Sequence, residues 1–157
     1  MSPKRTNEAN QEHAAKAVKL DAEYIEHPRT VDIICAPFSG GQPRRGTDLG
    51  PKLMLDRGLV QQLTHLQWKV NCPDELDNYE HLIPKKEATY KVVKNIKYVS
   101  EVTQLIHEQV KESISKKHLA LTLGGDHSLG IGTGSGAAAV YPDLNVIWVD
   151  AHAVSQH

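Results

Sequence analysis

The sequence predicts an α/β protein, part of a doubly wound, mostly parallel sheet with flanking helices. Three observations carry that expectation. Apolar or β-branched runs at residues 31–36, 67–72, 119–123 and 145–149 each have the length of a strand. Helix-patterned stretches separate them, and this alternation is the signature of parallel strands joined by right-handed crossovers. Two of the runs end directly in residues that carry chemistry, Gly124-Gly125-Asp126-His127 and Asp150-Ala151-His152. An open parallel sheet presents its functional groups at the carboxyl ends of such strands.

The elements follow in order. Residues 1–30 form a polar N-terminal extension, with helix-permissive sequence over 11–25 that His27-Pro28 ends. Residues 31–36 (Val-Asp-Ile-Ile-Cys-Ala) are the first strand. Residues 37–46 are loop, because Gly and Pro punctuate them throughout. The loop lacks the Gly-Lys-Ser/Thr ending of a phosphate-binding loop, so close backbone packing near the sheet edge is the better reading. A helix begins near Gly50-Pro51, with proline tolerated in its first turn, and Gly58 closes it. Leu59, Leu63 and Leu66 suit a second short helix, and residues 67–72 form a strand ended by Pro73. Residues 74–86 read as a solvated acidic loop, not a ligand set, since nothing pairs their carboxylates with histidine at ligand spacing. Val99, Val102, Leu105, Ile106, Val110 and Ile114 recur at spacings of three and four, which predicts an amphipathic helix over 97–115. After the strand at 119–123, residues 128–140 should be helical. Gly130, Gly132, Gly134 and Gly136 each cost about 1 kcal/mol against alanine, so the sequence predicts a weak helix or partial loop there. A match to Gly-x-Gly-x-x-Ala at 132–137 is set aside, because the dinucleotide fingerprint follows a strand directly and this one does not.

Composition narrows the function. A length of 157 residues suits one domain. A net charge of -1 gives no electrostatic case for nucleic acid or an anionic membrane surface. No apolar stretch approaches the roughly 18 residues of a membrane span. The N-terminus has no secretory apolar region, and Glu8, Glu12 and Asp21 oppose a transit peptide. Cys35 and Cys72 lack disulfide-framework spacing, which suggests a reducing compartment, with cytoplasmic as the expectation. Of the nine histidines, His13, His27, His65, His81, His107 and His118 read as ordinary surface residues.

The chemistry concentrates in His127, Asp150 and His152. Alone, His127 reads equally well as a structural histidine. With Asp150 and His152 at the same end of a neighbouring strand, it looks like part of a divalent-metal site. In extended backbone, residues i and i+2 share a side, so Asp150 and His152 would face one point.

Leu-Gly-Gly-Asp-His-Ser-Leu at 123–129, followed by Tyr-Pro-Asp-Leu-Asn-Val-Ile-Trp-Val-Asp-Ala-His-Ala at 141–153, resembles the ureohydrolases, and the arginases more closely. Ala-Pro-Phe-Ser-Gly-Gly-Gln-Pro-Arg-Arg-Gly at 36–46 and Gly50-Pro51 resemble the arginase first strand, loop and helix. The similarity covers about residues 31–153 in order. It implies an arginase-like fold and hydrolysis of L-arginine to L-ornithine and urea by manganese-activated hydroxide. By motif matching, His127 would ligate one manganese ion, Asp150 would bridge two, and His152 would ligate the other. Carboxylates and imidazoles suit manganese, and paired ions lower the pKa of a shared water.

The chain also departs from the family pattern. The second motif runs Asp-Ala-His-x-Asp, and Val154 stands at its last position, where an isopropyl group cannot ligate. Three of the family's six protein ligands are present, and the residues that hold the amino-acid end of the substrate are not. Residues 154–157 (Val-Ser-Gln-His) resemble nothing in the family. The expectation is therefore the N-terminal half of an arginase-like sheet over 31–153, incomplete and inactive alone, with a divergent tail. An unfinished sheet edge invites association, with further copies or with full-length arginase. An unstable splice product is the plainer alternative, and a mononuclear site with His157 as fourth ligand is a remote one.

Overall fold

The computed structural model describes residues 29–87, 90–91 and 93–151. The helix expected over 11–25, the N-terminal extension to residue 28, His152, Val154 and the rest of the tail lie outside the described residues.

Three strands form one parallel sheet in the order β2-β1-β3: β1 is Thr30–Ala36, β2 is Lys69–Asn71 and β3 is Leu119–Gly124. β1, in the middle, is the most buried of the three. Its residues pair with β2 from Thr30↔Lys69 to Asp32↔Asn71 and with β3 from Val31↔Leu119 to Ala36↔Gly124. Strand side chains alternate between faces, and β1 loads both. Ile34 and Ala36 join Phe38, Val102, Ile106, Val110 and Leu129 on one face. Ile33 and Cys35 join Leu123, with Leu55, Leu59, Leu63 and Cys72 against them, on the other. Helices on both faces of a parallel sheet define a doubly wound α/β architecture.

The second face is covered by α1 (Gly50–Asp56) and α2 (Leu59–His65). Pro51 sits in the first turn of α1, and Gly58 lies between the two helices with φ +84°, where a side chain would strain the backbone. The first face is covered by α3 (Ile96–Ser115) and α4 (Leu129–Val140). Val102, Thr103, Ile106, Val110 and Ser113 form the buried stripe of α3, at the expected helical spacing. The start of α3 is capped from outside: the Glu87 carboxylate accepts the Lys97 N–H at 2.9 Å and the Tyr98 N–H at 3.2 Å. These are two of the four donors that every helix start leaves unpaired.

Two expectations are corrected. The segment 129–140 is a continuous helix and not partly loop. Gly132 and Gly136 lie against the α3 backbone, where an added Cβ would stand 2.5 Å from the Thr103 carbonyl oxygen and 2.6 Å from that of His107. The glycines that lower intrinsic helicity let two helices approach closely, and packing outweighs propensity. The run 145–149 is not a strand. A strand needs a neighbouring ladder for its N–H and C=O groups, and among the described residues the sheet stops at β3. Ile147 and Val149 are 88% and 92% exposed, the reverse of a buried strand.

The acidic loop at 74–86 is solvated along most of its length but anchored by Tyr79, with Leu76 and Leu82 partly buried against the two core clusters. Tyr79 is buried, its hydroxyl donates to the Cys35 carbonyl at 3.1 Å, and its ring meets Phe38 edge-on at 6.3 Å. Burial, helped by the charge of Asp77 and by Cys35, pushes its phenol up to about 12. Burial likewise pushes the Cys35 thiol up to about 11, so it behaves as a small apolar side chain.

At the opposite, amino end of the sheet, Asp32 ties all three strands together. It accepts from Asn71 of β2 at 2.6 Å and faces His118, just before β3, at 3.0 Å. Burial alone would raise its pKa. Hydrogen bonds from Asn71 and His118, with the charge of His118, outweigh that and hold the carboxyl below its ordinary value.

Candidate metal centre

The carboxyl ends of β1 and β3 lie side by side, with Ala36 opposite Gly124. Both chains turn there, and the turns are stitched together. The Asp126 N–H donates to the Phe38 carbonyl at 3.0 Å. The Asp126 carboxylate accepts the Gly41 N–H at 2.8 Å through Oδ2, and the Ser128 N–H at 2.8 Å and the Ser128 hydroxyl through Oδ1. On the far side of the loop, the Asn95 amide donates to the Gly40 carbonyl at 2.9 Å. Close backbone packing is thus the role of the loop after β1, as the sequence predicts.

His127 projects outward from this junction with its side chain 79% exposed. Its Nε2 lies 3.3 Å from Oδ2 of Asp150. The Trp148 indole lies between the segment and α4. Its ring is 6.2 Å from the His127 ring at 28°, its edge would be 3.0 Å from a Cβ on Gly130, and its Nε1–H donates to Asp150 Oδ2 at 3.1 Å. The structure therefore brings His127 and Asp150 together, although the route differs from the one expected. Asp150 arrives on an irregular segment held by an indole and not at the end of a paired strand. The i, i+2 argument for Asp150 and His152 loses its strand, and His152 lies outside the described residues.

Among the described residues no group of three or more His, Cys, Asp or Glu side chains could hold a metal ion. Two donors do fit one. Ligands about 2.1 Å from a common ion and at right angles stand about 3.0 Å apart, close to the 3.3 Å between His127 Nε2 and Asp150 Oδ2. An imidazole with a carboxylate is a donor set suited to first-row divalent ions such as manganese.

Sequence reasoning passed over two residues here. Asp126 was read only as part of a motif, yet it is buried and accepts three hydrogen bonds. Its signal was available: an aspartate three residues before a helix start, with serine two residues after it, is a local hydrogen-bonding pattern. Trp148 was read as a strand residue, and nothing in the sequence marks its contact with His127.

A parallel sheet layered by helices, with a histidine and an aspartate meeting at its carboxyl edge, places the chain in the α/β class. The arginase family model matches residues 29–155, and the chain belongs to the arginase family. It is 39% identical over 140 residues to arginase of Neurospora crassa, covering 85% of this chain and 39% of that one. It is 42% identical over 124 residues to arginase-1 of Homo sapiens, covering 79% and 38%. The crystal structure of arginase from Bacillus subtilis superposes with a TM-score of 0.67 at 33% identity, covering 79% of this chain and 40% of that chain. The chain thus spans about two-fifths of the length of these relatives.

Proposed function

We propose that this chain carries part of the manganese centre of an arginase-type hydrolase, which converts L-arginine and water to L-ornithine and urea. The observation that carries the reading is the approach of His127 Nε2 to Asp150 Oδ2 at the carboxyl edge of the sheet. Family membership supplies the reaction class. His127, Asp150 and His152 would be the protein ligands, with Asp150 shared between two ions. Divalent ions held there would supply a water of lowered pKa as the nucleophile for the guanidinium carbon.

This chain's own residues supply donors and their placement. His127 offers a ring nitrogen and Asp150 a carboxylate oxygen, and the Trp148 N–H donates to that same oxygen. Val154 supplies no donor where a second aspartate would stand. We therefore propose that these 157 residues alone release no urea from arginine.

The test is manganese titration of the full chain, followed by the loss of the Mn(II) electron paramagnetic resonance signal on binding. Binding that disappears in His127→Ala and in Asp150→Asn is expected. Binding that survives both substitutions, or no binding, would sink the assignment. A urea assay on the same samples checks the second part, and manganese-dependent urea release well above background would refute it.

Compartment and partners extend the proposal. Cys35 and Cys72 are both free thiols, in keeping with a reducing cytoplasm. No helix among the described residues is long and apolar enough to cross a membrane. A non-catalytic reading is favoured by one feature: β3, at the edge of the sheet among the described residues, carries no charged residue or proline to guard it. In that reading the chain joins a full-length arginase and regulates it. Co-purification with such a relative is the expected result, and elution as separate species would remove the support.

A further inference from the structure

Asp126 is a buried carboxylate whose partners are all neutral: two backbone N–H groups and one hydroxyl. Burying a carboxylate without a cation is costly, so such a group calls for a reason beyond filling space. The geometry gives one. Oδ2 takes the Gly41 N–H from the loop after β1, while Oδ1 takes both donors of Ser128 at the start of α4. Two separate acceptor oxygens are needed at once. An asparagine would turn an NH2 group toward one of these donors.

The loop and turn have no slack between them. A Cβ on Gly125 would stand 1.9 Å from the Phe38 carbonyl oxygen. A Cβ on Gly41 would stand 2.6 Å from Ser128 Oγ and 2.8 Å from Asp126 Oδ1. The clamp therefore fixes the residues on both sides of His127. With Asp126 aimed inward and Ser128 tied to it, the side chain between them is aimed outward, toward Asp150.

We propose that Asp126 is a positioning residue, which sets the direction of the His127 imidazole by locking the turn at 125–128 to the Gly41 loop. Its consequence for metal binding rests on the manganese reading above. Its geometric content does not, and the two can be separated. Residues that orient a ligand typically change metal affinity by about 10–100-fold when replaced.

The experiment is heteronuclear NMR of the full chain in metal-free buffer. In the parent, the Trp148 ring current displaces the His127 ring protons, and Trp148→Ala calibrates that displacement. In Asp126→Asn the His127 ring signals are expected to lose most of it. The amides of Ile34 and Leu121, deep in the sheet, are expected to keep their shifts. A general loss of structure would move all of these together, so the split separates positioning from stability. A folded Asp126→Asn protein with unmoved His127 signals overturns the proposal. Should that variant fail to fold, Ser128→Ala decides: it removes one of the three donors, a partial displacement is expected, and unmoved signals overturn the proposal. Manganese is then added to the parent. His127 signals that do not broaden would refute the metal reading and leave the positioning result standing. If they broaden, Asp126→Asn is expected to need about 10–100-fold more manganese for the same effect.

Discussion

Gly132 of α4 backs directly onto Thr103 of α3: a methyl group at its Cα would lie 2.5 Å from the Thr103 carbonyl oxygen. The contact recurs one turn on, at Gly136 and His107, so the two helices meet main chain to main chain. Gly134, on the same helix, faces open space. The two kinds of glycine should respond oppositely to the same substitution. Gly132→Ala should cost about 1–3 kcal/mol by overpacking. Gly134→Ala should gain about 0.5–1 kcal/mol from helix propensity. Urea unfolding of both variants checks this, and a Gly132→Ala protein as stable as the parent would contradict the packing described.

Asp32 predicts an acid-dependent stability. Its hydrogen bonds to Asn71 and His118 leave its folded pKa below the unfolded value, in spite of burial. A depressed carboxyl contributes stability that is fully present above the unfolded pKa of about 3.9 and is lost as pH falls through the folded one. Asp32→Asn should therefore cost about 1–3 kcal/mol at neutral pH. The gap to the parent should close as pH drops below about 4. A constant gap across that range would show that the charge on Asp32 contributes nothing.

Tyr79→Phe tests the buried hydrogen bond that anchors the acidic loop. It removes the hydroxyl that reaches the Cys35 carbonyl but leaves the ring packed on Phe38. The expected loss is about 1 kcal/mol, read from a thermal or urea midpoint. No loss would mean that the ring alone holds the loop.

Glu87→Ala should act locally. It strips the partners from the Lys97 and Tyr98 N–H groups, at a cost of about 0.5–2 kcal/mol if it behaves like the loss of an N-cap. Hydrogen exchange should accelerate at those two amides and not at Val110, at the far end of α3. Uniform acceleration along the helix would rule out a capping role.

What the sequence made legible follows from which forces are local. β1, α1, α2, α3 and β3 were all legible from periodicity and from punctuation by Pro51 and Gly58, because each buries a face that its own pattern defines. The long helix starts at Ile96 and the last strand ends at Gly124, within a residue of expectation. The errors came where a partner decides the outcome. Gly132 and Gly136 weaken a helix in isolation and pack one in context. Val146 to Val149 have strand composition, but a strand exists only beside another. The pairing of His127 with Asp150 was anticipated as an outcome, while Trp148, which now holds the pair, had no local signature. Asp126 and Tyr79 act over separations of 85 and 44 residues, to Gly41 and Cys35. A reading built on short windows cannot see such contacts.

The place of β1 at the centre of the sheet bears on how the chain is made. Its neighbours, β2 and β3, are both encoded after it, and Val31 finds its β3 partner only at Leu119. Translation proceeds at about 5–20 residues per second, so the apolar run Val31-Asp32-Ile33-Ile34-Cys35-Ala36 spends on the order of 10 s outside the ribosome without that ladder. Long-range parallel pairing of this kind is slow to form even in the finished chain. During that interval the strand destined to be the most buried exposes apolar side chains, the kind of surface that chaperones cover.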